Sequence, residues 1–189
     1  MPEPAAEPSP TNAPIERRSA ALPLRVLGID PGLAVTGYGV VDERGAGGTL
    51  VASGTVRSTS KMPRAERLGR IYDAVRAVIE EYRPHEVAVE QQFVAENVRS
   101  AMAIGEARAA AMVAAAAAAC PVYEFAPTAV KESVAGWGGA PKEQVQRMVL
   151  VHLGLTAVAG PLDVTDAIAV ALTRLAEARL EAAIARSAP

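Results

Sequence analysis

"LRVLGIDPGLAVTGYGVV", residues 24–41, is the stretch that decides the fold. Leu24, Val26, Leu27 and Ile29 form a nearly continuous apolar run, the mark of a strand covered on both faces. The run ends in Asp30, and Pro31 and Gly32 then break it. A charge at the tip of a buried strand is costly unless something answers it. Three acids much further along the chain, Glu90, Asp163 and Asp166, are the candidates to share that place.

Working outward, residues 36–42 and 49–57 read as two further strands around "DERGAGG", whose glycines permit a turn. These three strands are expected to form an antiparallel meander. Leu68, Ile71, Tyr72, Val75, Val78, Ile79 and Tyr82 recur at helical spacing over 62–83, and the helix should stop before Pro84. "EVAVE", 86–90, is a short strand, and 96–119 an alanine-rich helix. Residues 121–125 form another strand, followed by helices at about 127–135, 141–153 and 163–186. The pattern specifies an α/β fold: a mixed five-stranded sheet flanked by helices on both faces. A strand–helix–strand connection favours parallel, adjacent placement of 24–30 and 86–90. Asp30 and Glu90 would then emerge together at the carboxyl ends of their strands, where ligands collect in such sheets.

The 189 residues are expected to make one domain, and half of them are apolar, enough for a substantial core. Residues 1–23 are rich in Pro, Ala and Glu and lack the apolar stretch of a signal peptide, so they read as a disordered extension. Residues 24–175 are read as the functional domain, and 176–189 as the end of the last helix and a tail. The alanine run 109–119 is too short to cross a membrane. A single cysteine, Cys120, excludes a disulfide framework and points to a reducing compartment, hence a cytoplasmic protein without membrane attachment. A net charge of −2 does not advertise a nucleic-acid binder. Setting the four acids aside as a metal site leaves the rest of the domain net positive.

Asp163 and Asp166, in "PLDVTDAIAVAL", lie three residues apart at a helix start and share one side of it. Helix N-termini welcome acids in any case, and Asp30 alone reads equally well as a turn residue. The argument lies in convergence. Four gathered carboxylates repel and raise one another's pKa unless cations neutralise them. Hard divalent cations prefer such oxygen ligands, and no Cys/His cluster competes for zinc. Two such ions about 4 Å apart would clamp a phosphodiester for attack by water.

The segments "GIDPGLAVTGYGVV", "VAVEQQFVAENVRSAMAIGEAR", "VKESVAGWGGAPKEQVQRMV" and "LDVTDAIAVAL" resemble, in order and spacing, the signature blocks of the RuvC family of Holliday-junction resolvases. The resemblance covers about residues 24–175 and implies a ribonuclease H-like fold. It implies that Asp30, Glu90, Asp163 and Asp166 bind two catalytic magnesium ions, for which manganese substitutes; some members carry histidine at the position of Asp163. It also implies that Lys131 and Lys142 serve the site and that Phe93 wedges into the junction. A homodimer would nick a four-way DNA junction symmetrically, in company with the branch-migration motor proteins RuvA and RuvB.

Taken alone, these residues read more modestly. Lys131 and Lys142 are ordinary solvated charges, although Lys142 follows Pro141 at a helix start, where free N–H groups attract phosphate. Phe93 alone reads as core, though an exposed ring there would stack on bases. Thr36 belongs to a turn whose amides could meet a phosphate. Arg57, Lys61, Arg64, Arg67 and Arg70 form a basic run that is either a solvated face or a DNA contact. Ala101, Gly105, Ala109 and Ala110 would let another helix pack close, within the chain or across a dimer. A junction-binding module that does not cut would require a broken carboxylate set, and all four acids are present. An actin-like or sugar-kinase ATPase needs two such domains, and this chain is too short.

Overall fold

The computed structural model describes residues 23–91 and 98–187. The predicted N-terminal extension and Phe93 fall outside these residues. Five strands form one sheet in the order β3-β2-β1-β4-β5. They are β1 (Arg25–Asp30), β2 (Val35–Arg44), β3 (Gly47–Arg57), β4 (Glu86–Glu90) and β5 (Val122–Phe125). The first three pair antiparallel, and β1–β4 and β4–β5 pair parallel, so the sheet is mixed as expected. The hairpin turn is tighter than "DERGAGG" suggested. Arg44 pairs with Gly47, leaving only Gly45 and Ala46 outside the ladder. Gly45 takes the positive φ, 55°, that so short a connection demands.

Helices cover both faces. On one face α1 (Arg64–Tyr82) and α2 (Val98–Ala117) bury Ile71, Val75, Ala107 and Ala111 against Leu27, Ile29, Val40, Val87 and Val89. On the other, α3 (Pro127–Ala135), α4 (Lys142–Leu153) and α5 (Leu162–Ser187) enclose Val26, Ala88, Val130, Val149, Val164 and Ile168. Alternation along a strand assigns every side chain to a face. In β4, Val87 and Val89 point to α1 and α2, while Glu86, Ala88 and Glu90 point to α5. In β1, Asp30 shares the α5 face with Val26 and Gly28.

The helix that matters for the site is α5, which lies unusually close to the sheet. Gly28 is paired with Gly39, and Asp30 with Gly37, so three glycines line the surface beneath α5. A Cβ on Gly28 would overlap the Ala167 carbonyl, one on Gly37 the Asp163 carbonyl, and one on Gly39 the Ile168 side chain. Small residues on the helix, Ala167 and Ala171, complete the close approach. At the opposite end, Arg174 is 2% exposed and bonds Glu86 of β4, with Glu177 and Glu181 closing over it and the Tyr123 ring beneath. The close packing therefore has one polar cluster at each end.

Candidate active site

Parallel pairing of Ile29 with Val89 brings Asp30 and Glu90 onto adjacent strands at the carboxyl edge of the sheet. Their carboxyl groups lie within hydrogen-bonding reach of each other. Above them starts α5, after Pro161, with Asp163 and Asp166 in its first turns. Asp163 stands directly over Gly37, the partner of Asp30 across the β1–β2 ladder. Asp30 feels the charges of both Asp163 and Asp166, and Glu90 that of Asp166. The structure thus brings together all four acids that the sequence singled out.

Their proton affinities record the crowding. Burial, followed by the charges of Asp166 and Asp163, pushes Asp30 up to about 6. Burial and the neighbouring Asp30 push Glu90 up to about 7, and the contact between the two favours the proton on Glu90. Lys142, at the start of α4, donates from Nζ to Asp166 Oδ2 at 2.6 Å. That bond holds the lysine charge in place and raises its pKa. Lys131 of α3 joins Lys142, Glu90 and Asp166 around a cavity of about 200 Å³ with apolar walls from Val130 and Val145. Lys142 therefore bonds a carboxylate, and Lys131 shares the cavity wall with Glu90 and Asp166.

Among the described residues no three acidic, histidine or cysteine side chains close tightly enough to cage a metal ion unaided. The donor set is all oxygen, half-buried, and answered by one lysine that is itself 54% exposed. Such a set fits a hard divalent cation.

The remaining predicted contacts divide. Arg57 is exposed at the end of β3, opposite Val35 and so at the same sheet edge as Asp30. Thr36 must be corrected. It is 1% exposed, and its hydroxyl donates to the Gly32 carbonyl at 2.8 Å, so it clamps the turn behind Asp30 rather than facing DNA. Ser58 was not foreseen: its hydroxyl donates to the Leu33 carbonyl at 2.6 Å and accepts Arg67 Nε at 2.8 Å, tying α1 to the same turn. Its only signal in the sequence was a hydroxyl just past a strand end. Trp137 stands 53% exposed on the turn between α3 and α4.

A mixed 3-2-1-4-5 sheet with acids at the tips of β1 and β4 beneath an acidic helix start defines a ribonuclease H-like protein. The sequence model of the family described as "Crossover junction endodeoxyribonuclease RuvC" matches residues 26–174, and the chain belongs to that family. It is 48% identical over 149 residues to the crossover junction endodeoxyribonuclease RuvC of Chloroflexus aggregans, covering 79% of this chain and 91% of the relative. The corresponding protein of Geobacter sulfurreducens is 47% identical over 149 residues, covering 79% and 90%. In structure the chain is similar to Thermus thermophilus RuvC in complex with Holliday junction substrate, with a TM-score of 0.80 and 40% identity over 84% of this chain and 96% of that one.

Proposed function

We propose that this chain is a crossover junction endodeoxyribonuclease that resolves Holliday junctions by paired, symmetric hydrolysis of phosphodiester bonds. The carrying observation is the meeting of Asp30 and Glu90 beneath Asp163 and Asp166, in a chain of this family. The four carboxylates would hold two magnesium ions, with manganese as a substitute. Bound there, the ions would supply an activated water and charge stabilisation of the attacking and leaving oxygens.

The chain's own residues prepare that chemistry. Gly37 lets Asp163 settle over Asp30, and the clamps of Thr36 and Ser58 hold the turn behind Asp30 rigid. Without metal, burial and Asp30 raise the Glu90 carboxyl to about 7, and a cation bound there would displace that proton. Lys142 and Lys131 set two positive charges beside the carboxylates, where a phosphate would otherwise be repelled. Arg57 extends the positive edge along the sheet.

Two equivalent strands of a junction call for two equivalent sites, so the working form is a homodimer. We propose RuvA and RuvB as its motor partners and the cytoplasm as its compartment. No helix among the described residues is long and apolar enough to cross a membrane. Cleavage of a synthetic four-way junction across a magnesium titration, with linear duplex as control, tests the reading. Junction-selective, metal-dependent nicking is expected; binding without cutting at every metal concentration would overturn it.

A further inference from the structure

Trp137 is the chain's one tryptophan, and glycines surround it on the turn from α3 to α4. Gly136 ends α3 with a φ of 87°, in the left-handed region that glycine tolerates. A Cβ on Gly139 would overlap the Trp137 ring, so the indole is seated on that residue's backbone. A Cβ on Gly138 would press on the Thr128 carbonyl, so the turn folds back to the start of α3. Ala140, 1% exposed, anchors the turn and donates its N–H to the Trp137 carbonyl at 3.2 Å. His152 of α4 sets Nε2 3.0 Å from the Val134 carbonyl, tying the end of α3 to α4 as well. The ring is therefore held outward by a turn that is fixed on both sides.

Its place in the fold selects what would cover it. Pro127, next to Thr128, and Lys142, which follows Pro141, both line the lysine cavity, so this turn forms part of the cavity rim. An indole is the largest apolar side chain, and burying it inside would stabilise the fold. Here it is left at the surface, a few residues from two cations. An apolar protein surface laid over it would strip water from Lys131 and Lys142 without replacing it. A nucleotide satisfies both chemistries at once, a flat base for the ring and a phosphate for the lysines.

Resting on the nuclease reading above, we propose that Trp137 stacks on a base of the cut strand next to the scissile phosphate, on the lysine side of the carboxylates. Stacking of this kind tolerates any base but favours those with the larger face. Trp137 would thus help select which nucleotide is presented for cutting, a task that the lysine charges cannot perform because every phosphate looks alike to them.

The test uses the whole chain without metal. With a single tryptophan, intrinsic fluorescence reports this ring alone. A saturating four-way junction should quench wild-type emission and shield it from acrylamide. Junctions carrying one abasic site each along the cut strand then locate the contact. One position adjoining the cut should restore the emission and weaken wild-type binding about tenfold. W137A should bind the intact junction about tenfold more weakly and be indifferent to that abasic site, with an unchanged salt slope because no cation is lost. W137F should recover part of the affinity, and V151A, which trims another exposed apolar side chain of α4, should match wild type. Emission unmoved by the junction, abasic sensitivity kept in W137A, or a shallower salt slope in that variant would overturn the stacking assignment alone. Absence of magnesium-dependent cutting by wild type would instead overturn the nuclease reading beneath it, since the fluorescence measurement requires no cutting.

Discussion

Glu86 and Glu90 open and close the same strand, face the same helix, and have opposite fates. Glu86 meets Arg174, whose side chain is 3% exposed and whose guanidinium is shared with Glu177 and Glu181 and stacked on Tyr123. Glu90 meets another acid, Asp30, with Asp166 beyond it and, among the described residues, the exposed Lys142 bonded to Asp166 in answer. One end of α5 carries its own buried cation. The other keeps a surplus of negative charge and a pair of acids that hold protons to about 6 and 7. A fold that gives one cluster a buried guanidinium and leaves the other with two adjoining acids and a surface lysine supports the proposed placing of an external cation at the second.

The sharpest way to break this contrast is Asp30→Asn. It should lower junction nicking at least about 10³-fold, since the set loses a ligand charge where two-metal chemistry needs it, while gel-shift affinity for the junction survives. Normal cutting would refute the site. At the other end of α5, Arg174→Met strands a half-buried Glu86 and should cost about 3 kcal/mol in urea unfolding. Glu86→Gln added to it should restore part of that loss.

Gly37→Ala addresses the close packing between the two clusters. The new methyl would overlap the Asp163 carbonyl, and displacing that residue by about 1 Å should cost on the order of 10²-fold in cleavage. Metal-free stability against pH probes the unsatisfied end alone. Asp30 and Glu90 are raised above their ordinary values, so the folded protein keeps protons that the unfolded chain releases. Their combined stabilising contribution is full below about pH 4 and lost as pH rises through 6 to 7, on the order of 5 kcal/mol. Wild type minus Asp30→Asn, compared at pH 4.5 and 7.5, isolates it; a flat difference would refute the coupling. Smallest is Thr36→Val, expected to cost about 1 kcal/mol of stability and leave junction affinity unchanged.

The strand and helix order was legible because buried strands and amphipathic helices leave distinct periodicities, and "EVAVE" matches β4 residue for residue. The meeting of Asp30 with Glu90 followed from one parallel crossover. What escaped was everything that depends on register. Gly28, Gly37 and Gly39 look like loop or weak-strand residues until pairing shows them on one face beneath α5. Arg174 and Glu86 are 88 residues apart, and no local pattern couples them. Glu43 and Arg44 looked like turn, yet the ladder extends through them because two residues suffice to reverse the chain. Thr36 reads as part of a turn whose amides face a phosphate, whereas it stands in β2 with its hydroxyl folded inward onto a carbonyl.

The placement of α5 has a consequence for the cell that makes this protein. Two of the proposed metal ligands ride on α5, which follows every strand of the sheet along the chain, and they reach the other two only when that helix docks against the glycines of β1 and β2. A truncated or half-finished chain would carry the strands without the blade. Translation itself would act as the safety catch, with DNA scission beginning only once α5 has been made and docked.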